Sequence, residues 1–185
     1  MKDVLHLLHT RNSAPRLTDP GPSAAELDQI LRAAMRAPDH ARLRPWRFIT
    51  VEGRRREELG RLFLESLLRR DAGADAAARD KALAAPLRAP MILVVVCRLS
   101  EHPKVPHYEQ RLSAGCAAQG ALLAAEALGL AGIWRTGDVA FDRAFMTDLD
   151  IADNEEIIGF LYLGSRLGPA KPLPELDPDD FNQRW

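Results

Sequence analysis

The feature that most constrains the fold is one long predicted helix, residues 108–129, which is apolar on nearly all of its faces. Its apolar residues are Leu112, Ala114, Cys116, Ala117, Ala118, Ala121, Leu122, Leu123, Ala124, Ala125, Ala127 and Leu128. At 1.5 Å per residue the helix would span roughly 33 Å, about the diameter of a small domain. A chain of 185 residues has little other material with which to surround it. We therefore predict that it packs against a second copy of the chain, the alternative being the central helix of a single core.

Four segments predict the strands of a sheet. Residues 91–97 form a continuous apolar run without alternation, which is typical of a strand buried on both faces. Residues 46–51 and 157–163 are rich in β-branched and aromatic side chains, and residues 133–136 predict a shorter strand. The run at 91–97 is therefore expected at the centre of the sheet.

The predicted helices outnumber the strands. Ser23 and Glu26 have the spacing of a capping box at the start of a helix that ends before Pro38. Further helices are predicted over residues 2–10, 54–71 and 141–150, whereas residues 72–85 are an Ala-rich polar stretch and residues 169–185 an extended tail expected to dock through its aromatic residues. Since helices and strands do not alternate regularly, we predict an α+β fold with helices flanking a central mixed or antiparallel sheet, in one domain over residues 1–185.

The composition narrows the class of protein. The chain has 25 Lys and Arg against 26 Asp and Glu, and a net charge of −1 argues against binding to a nucleic acid backbone. No segment approaches about 18 uninterrupted apolar residues, so we expect no contact with a membrane. Cys97 and Cys116 both lie in apolar runs and cannot form a disulfide framework, which favours a reducing compartment, the cytoplasm.

The sequence lacks the motifs of several common activities but places arginines at the ends of predicted elements. It contains no GxGxxG or P-loop, no CxxC or HExxH pattern for zinc, and no GxSxG nucleophile motif. The arginines are Arg11, Arg36, Arg42, Arg44 and Arg135. We predict that they gather around one planar, phosphate-bearing ligand, since arginine suits bidentate binding of phosphate. The alternative is that each is an ordinary surface residue.

A series of short motifs runs in a fixed order through most of the chain. They are Arg11-Asn12-Ser13, residues 33–40 (AAMRAPDH), 45–48 (PWRF), 104–106 (KVP), 113–117 (SAGCA), 132–137 (GIWRTG) and 159–164 (GFLYLG). In this order they resemble the nitroreductase family, in particular its short bacterial members. The resemblance implies an α+β flavoprotein fold, a homodimer, and FMN held at the subunit interface by residues of both chains.

The resemblance also assigns site residues, position by position. It implies that Arg11, Asn12 and Ser13 bind the ribityl phosphate region, that Arg36 and His40 lie at the flavin, and that Trp134, Arg135 and Thr136 complete the FMN pocket. It further implies that the nicotinamide nucleotide contacts Ala124, Ala125, Glu126, Ala127, Leu128 and Gly129. The chain departs from the family pattern in Asn12, where many members carry a second Arg, in Ala41, where a Lys or polar residue is commoner, and in Arg44, where a Gln is common.

The function implied by the resemblance is an FMN-dependent oxidoreductase. It would use NAD(P)H to reduce a small-molecule acceptor, a nitroaromatic, a quinone or a similar electron-poor compound, and no side chain is needed as a covalent catalyst. Two alternatives remain open. One is a flavin-dependent reductase of another acceptor, such as an enone or a flavin. The other is a dimeric interaction protein on the same fold, with or without flavin, that has no reductase activity.

Overall fold

A computed structural model describes residues 4–185 of the chain. It contains a sheet in the order β1-β5-β3-β2, with β4 also paired to β5. The strands are β1 (Leu17–Thr18), β2 (Trp46–Glu52), β3 (Met91–Arg98), β4 (Ala131–Arg135) and β5 (Glu155–Arg166). Every pairing is antiparallel, so of the two predicted arrangements the sheet has the antiparallel one. The four predicted strands are present, and the two-residue β1 adds a fifth.

Six α-helices flank the sheet within the described residues. They are α1 (Val4–Thr10), α2 (Ala24–Ala34), α3 (Arg55–Arg70), α4 (Ala76–Ala84), α5 (His107–Ala127) and α6 (Arg143–Asp148). The capping box of α2 is confirmed, because the Glu26 N–H donates to Ser23 Oγ at 3.3 Å and the Ser23 N–H donates to Glu26 Oε2 at 2.8 Å. The start of the helix predicted over residues 2–10 lies partly outside the described residues.

The two faces of the sheet carry separate cores. Alternate residues of β3 point to opposite faces: Ile92, Val94 and Val96 pack towards α3 and α6, whereas Leu93 and Val95 pack towards α2 and α5. All five side chains are fully buried. This two-sided burial explains why residues 91–97 show no polar alternation, and it confirms the predicted central strand.

Helix α5 is buried on one side and exposed on the other. Its inner residues pack on the sheet and on α2. Helix α2 approaches closely at Gly120, where the absence of a side chain leaves room: a Cβ there would lie 3.3 Å from the Ala33 carbonyl oxygen. Its outer side exposes Tyr108, Leu112 and Cys116 at successive i, i+4 positions. The chain therefore covers half of the helix itself, as the single-core alternative expected. Packing of α5 against a second copy of the chain stays a prediction, and it concerns only the exposed side of the helix.

The C-terminal tail contributes little to this core. Residues 167–185 are exposed, including Phe181 and Trp185, and the Lys171 carbonyl accepts a hydrogen bond of 2.6 Å from Asn12 Nδ2. Docking of the two aromatic residues on another surface stays a prediction. In the part of the chain that the structure covers, no helix is long and apolar enough to span a membrane.

Candidate cofactor-binding site

The segment that follows α1 is hydrogen-bonded to the start of β4 and to the end of β5. The Ala14 N–H donates to the Gly132 carbonyl of β4 at 3.1 Å. Arg166, the last residue of β5, donates from Nη2 to the Asn12 carbonyl at 2.8 Å. These bonds place residues 12–14 beside the start of β4, whereas Trp134, Arg135 and Thr136 lie at and beyond its other end. We call residues 11–13 and 134–136 together the β4 half-site.

Asn12 has a structural role within the β4 half-site. Asn12 is buried. Its side-chain amide donates to the Lys171 carbonyl at 2.6 Å, and its main-chain carbonyl accepts from Arg166. The side chain therefore ties the N-terminal segment to the start of the tail. A contact between Asn12 and FMN stays a prediction.

Trp134 and Arg135 point to opposite faces of the sheet, because successive side chains alternate along a strand. The Trp134 indole lies on the α5 face and donates from Nε1 to the Ile158 carbonyl at 3.3 Å. The guanidinium of Arg135 lies 5.6 Å from the ring centroid of Tyr162, and its Nε is buried without a hydrogen-bond partner among the described residues. A ligand that contacted both the Trp134 indole and the Arg135 guanidinium would have to extend around the end of β4.

Thr136 lies just beyond β4, at the edge of a cavity of about 360 Å³ between the 136–139 turn and helices α3 and α4. The floor of this cavity is formed by apolar side chains that include Phe63, Leu67 and Val139. The end of β4 is therefore open to a flat, partly apolar ligand. Thr136 is the residue that joins this opening to the β4 half-site.

Arg36 and His40 lie in a different place, on the segment between α2 and β2. His40 Nδ1 is 2.7 Å from Glu109 Oε2, at the first turn of α5, and Ser113 Oγ donates to the Pro38 carbonyl. We call residues 36–44 the α2–β2 loop. Its contacts with Glu109 and Ser113 fix it at the N-terminal end of α5.

Three of the five predicted arginines meet in this loop. Arg36, Arg42 and Arg44 line a cavity of about 500 Å³ whose wall includes the half-buried Trp46. Arg11 and Arg135 do not line it. The gathering of all five arginines around one ligand therefore stays a prediction, and it would have to involve a second chain.

Residues 11–13 and the α2–β2 loop lie near opposite ends of α5. The α2–β2 loop contacts Glu109 in the first turn, whereas Arg166, which binds the Asn12 carbonyl, lies 3.8 Å from Glu126 in the last turn. The 17-residue separation between the two glutamates corresponds to about 25 Å along the helix axis. Trp134 lies between these ends, where its ring would be 4.0 Å from a Cβ on Gly115. A site that combines residues 11–13 with the α2–β2 loop stays a prediction, and it would draw on two chains.

The residues that the resemblance assigns to the nicotinamide nucleotide form the last turn and the cap of α5. Ala125 is fully buried, Gly129 has a φ of 85°, and the Leu130 N–H closes the helix on the Ala125 carbonyl at 2.9 Å. The C-terminal end of a helix carries partial negative charge, which does not favour a phosphate. A contact between this turn and NAD(P)H stays a prediction.

Sequence reasoning missed two residues that shape the site. Glu109 anchors the α2–β2 loop, and its only signal was its place in the first turn of a predicted helix. Tyr162 lies under Arg135, and burial raises the pKa of its hydroxyl to about 12, so that it stays neutral at physiological pH. Tyr162 was included in a quoted motif, but the motif did not indicate which face of β5 it occupies.

These features define a helix-flanked antiparallel α+β domain with three arginines around one cavity beside the N-terminal end of α5. The chain belongs to the nitroreductase family, whose model matches residues 9–165. It is 42% identical over 180 residues, 97% of each chain, to YdjA of Escherichia coli K12, whose name assigns it provisionally to the NAD(P)H nitroreductases. The predicted family and fold are thus confirmed.

Solved structures share the fold at lower identity. A nitroreductase-like family protein from Bacillus cereus superposes with a TM-score of 0.84 at 20% identity, over 100% of this chain and 97% of that one. A nitroreductase from Bacteroides fragilis, solved with bound FMN, has a TM-score of 0.72 at 23% identity over 96% of both chains.

Proposed function

We propose that the protein is an FMN-dependent oxidoreductase that uses NAD(P)H to reduce nitroaromatic, quinone or similar electron-poor acceptors. The observation that carries this proposal is that residues 11–13 and the α2–β2 loop, both among the predicted FMN residues, lie near opposite ends of α5, about 25 Å apart. This arrangement suits a cofactor held between two copies of the chain, and membership of the nitroreductase family supports the same conclusion. The alternative of an interaction protein without flavin leaves the exposed arginines without a role.

The chemistry of the donor set fits FMN. Arg11 and Ser13 offer a cation and a hydroxyl for the phosphate, and no carboxylate within residues 4–185 forms an ion pair with Arg11. The half-buried Trp134 offers an aromatic face, and Arg135 keeps a buried Nε without a partner. When bound, FMN supplies two-electron redox chemistry through its isoalloxazine ring.

The side chains of this site then act by position and charge. Arg135 or Arg11 would stabilise negative charge on the reduced ring system, since a fixed cation in a partly buried site needs no rearrangement. The cavity beside Thr136 would hold the ring of a flat acceptor against apolar side chains. The nicotinamide donor loses two electrons and one proton, and a quinone acceptor gains these together with a second proton from solvent, without a covalent bond to the protein.

The proposed homodimer follows from the same geometry. If two α5 helices pack antiparallel through their exposed sides, the α2–β2 loop of one chain lies next to the β4 half-site of the other. Tyr108, Leu112 and Cys116 form the exposed stripe available for this contact. An isologous contact of this kind has two-fold symmetry and creates two equivalent sites.

An absorption spectrum tests the proposed function directly. Protein purified under native conditions, or after addition of FMN, is expected to be yellow, and NADH or NADPH should bleach it in the absence of oxygen. Addition of a quinone should restore the colour. Failure to bind FMN on titration would instead favour the interaction protein.

Replacement of Arg11 by alanine is expected to raise the Kd for FMN about ten- to one hundred-fold, because a hydrogen bond to a charged group contributes about 1.5–3 kcal/mol. FMN fluorescence quenching measures this change. Arg54→Ala, an exposed arginine at the start of α3, is the matched control and should retain the affinity of the unmodified protein. Equal affinities of both variants would remove Arg11 from the phosphate site.

A further inference from the structure

The cavity of the α2–β2 loop is lined by three arginines, of which the resemblance assigns only one to the flavin. Arg36 is among the residues assigned to the flavin, but Arg42 and Arg44 are not, and Arg44 occupies a position where the family commonly has Gln. All three line the same cavity of about 500 Å³. If Arg36 contacts the flavin as the resemblance implies, the cavity adjoins the flavin through Arg36 and extends beyond it through the other two arginines.

These three guanidinium groups have no carboxylate partner among residues 4–185. The one carboxylate of the cavity, Asp39, already accepts from the Leu43 N–H at 3.1 Å and from the Arg44 N–H at 2.7 Å. Elsewhere arginines of this protein form close ion pairs, as Arg111 does with Glu156 at 2.7 Å. Three unpaired cations around one cavity are suited to a polyanionic ligand.

The backbone of the loop is held in a costly conformation. Ala41, Arg42 and Arg44 have φ angles of 60°, 57° and 50°, in the left-handed region that costs a residue with a side chain roughly 1–2 kcal/mol. The Asp39 carboxylate stabilises this conformation through its two bonds to the main chain. Such strain is characteristic of ligand sites, because it turns side chains to directions that ordinary turns do not reach.

The wall of the cavity also offers an aromatic surface. Trp46, the first residue of β2, is half-buried between the cavity and the core, and Met35 is 48% exposed at the rim. An indole face binds flat heterocycles by stacking, whereas the arginines bind phosphate groups. A phosphorylated nucleoside combines these two chemical features.

We propose that this cavity binds the adenosine end of the nicotinamide donor and selects NADPH over NADH through the 2′-phosphate. The inference rests on the proposed function and adds the choice of donor. A phosphate monoester carries about −1.5 to −2 charges at pH 7, which three guanidinium groups can bind bidentately. NADH has a hydroxyl at the same place and gains none of this attraction.

The test uses the full chain with FMN, adenosine 2′,5′-bisphosphate and 5′-AMP as ligands, and isothermal calorimetry. The bisphosphate is expected to bind at least about tenfold more tightly than 5′-AMP, since one charged hydrogen bond contributes about 1.5–3 kcal/mol. In Arg42→Gln/Arg44→Gln this preference should disappear, and kcat/KM for NADPH should fall about ten- to one hundred-fold with little change for NADH. Arg54→Gln/Arg61→Gln, two exposed arginines of the α3 region, is the control and should behave as the unmodified protein.

Three outcomes would overturn the inference. They are equal affinity for the bisphosphate and 5′-AMP, an unchanged preference in Arg42→Gln/Arg44→Gln, and competition by inorganic phosphate as strong as by the bisphosphate. Calorimetry does not depend on flavin reduction. Selective binding of the bisphosphate by a protein that never binds FMN would therefore leave the cavity assignment standing while the proposed function fails.

Discussion

Replacement of Glu155 by glutamine is expected to destabilise the fold by about 3 kcal/mol, at the lower end of the range for a broken buried ion pair. The Glu155 side chain is 5% exposed at the start of β5. It accepts from Arg47 Nη2 at 2.7 Å, from Arg98 Nε at 3.1 Å and from the Ala152 N–H at 3.1 Å. These bonds connect β2 and β3 to the start of β5. A glutamine amide would leave the guanidinium of Arg47 without its carboxylate.

The same bonds predict how stability depends on pH. Hydrogen bonds from Arg47, helped by those from Ala152 and Arg98, lower the pKa of Glu155 from 4.5 to about 2. Because the pKa of the folded state lies below that of the unfolded state, the stabilisation is present above about pH 4.5 and is lost as the pH falls towards 2. Urea unfolding at pH 7, 4 and 3 should therefore show a smaller decline in Glu155→Gln than in the unmodified protein.

Glu58→Gln is the control for both measurements. Glu58 is paired with Arg55 on the exposed side of α3, and exposed pairs contribute only about 0–1 kcal/mol. This variant should lose little stability and keep the full decline at acid pH. If Glu155→Gln behaves in the same way as Glu58→Gln, the buried carboxylate does not stabilise the sheet as described.

The elements that the sequence predicted correctly are those with a strong apolar pattern. The unbroken apolar run at 91–97 indicated a strand covered on both faces, and the capping box at Ser23 marked the start of α2. The helix α4 was missed because residues 72–85 have no apolar periodicity. The available signals were the alanines, which favour helix, and Asp75, whose side chain caps the helix by accepting from the Ala78 N–H at 2.7 Å.

The placement of site residues depended on information that motifs do not contain. Motif order assembled Arg11, Arg36 and Arg135 into one set, but it does not show that Arg36 lines a cavity that the other two do not line. The same motif joined Trp134 to Arg135, although strand alternation places them on opposite faces. The strained α2–β2 loop could not be predicted, since alanine and arginine carry no preference for a positive φ.

Replacement of Leu112 by aspartate is expected to produce a monomer that no longer retains FMN. Leu112 is 51% exposed in the middle of the stripe on α5. Two-fold symmetry would bury one new carboxylate from each chain, and at about 3 kcal/mol for each unpaired charge the dimer would weaken about 10⁴-fold. Sedimentation velocity measures the mass, and FMN fluorescence measures the fraction of cofactor released. The loss of both together is the expected result, because the proposed FMN site takes residues from two chains.

Leu87→Asp is the matched control, since Leu87 is 48% exposed on a turn before β3 and lies outside α5. It should remain dimeric and yellow. Cys116 gives an independent measurement, because it lies one residue from the middle of α5 and antiparallel packing would bring the two copies together. A short bismaleimide should crosslink them, whereas Cys97 is buried and burial raises the pKa of its thiol to about 11. A dimer that survives Leu112→Asp and gives no crosslink through Cys116 would associate through another surface, and the divided site would then need a different explanation.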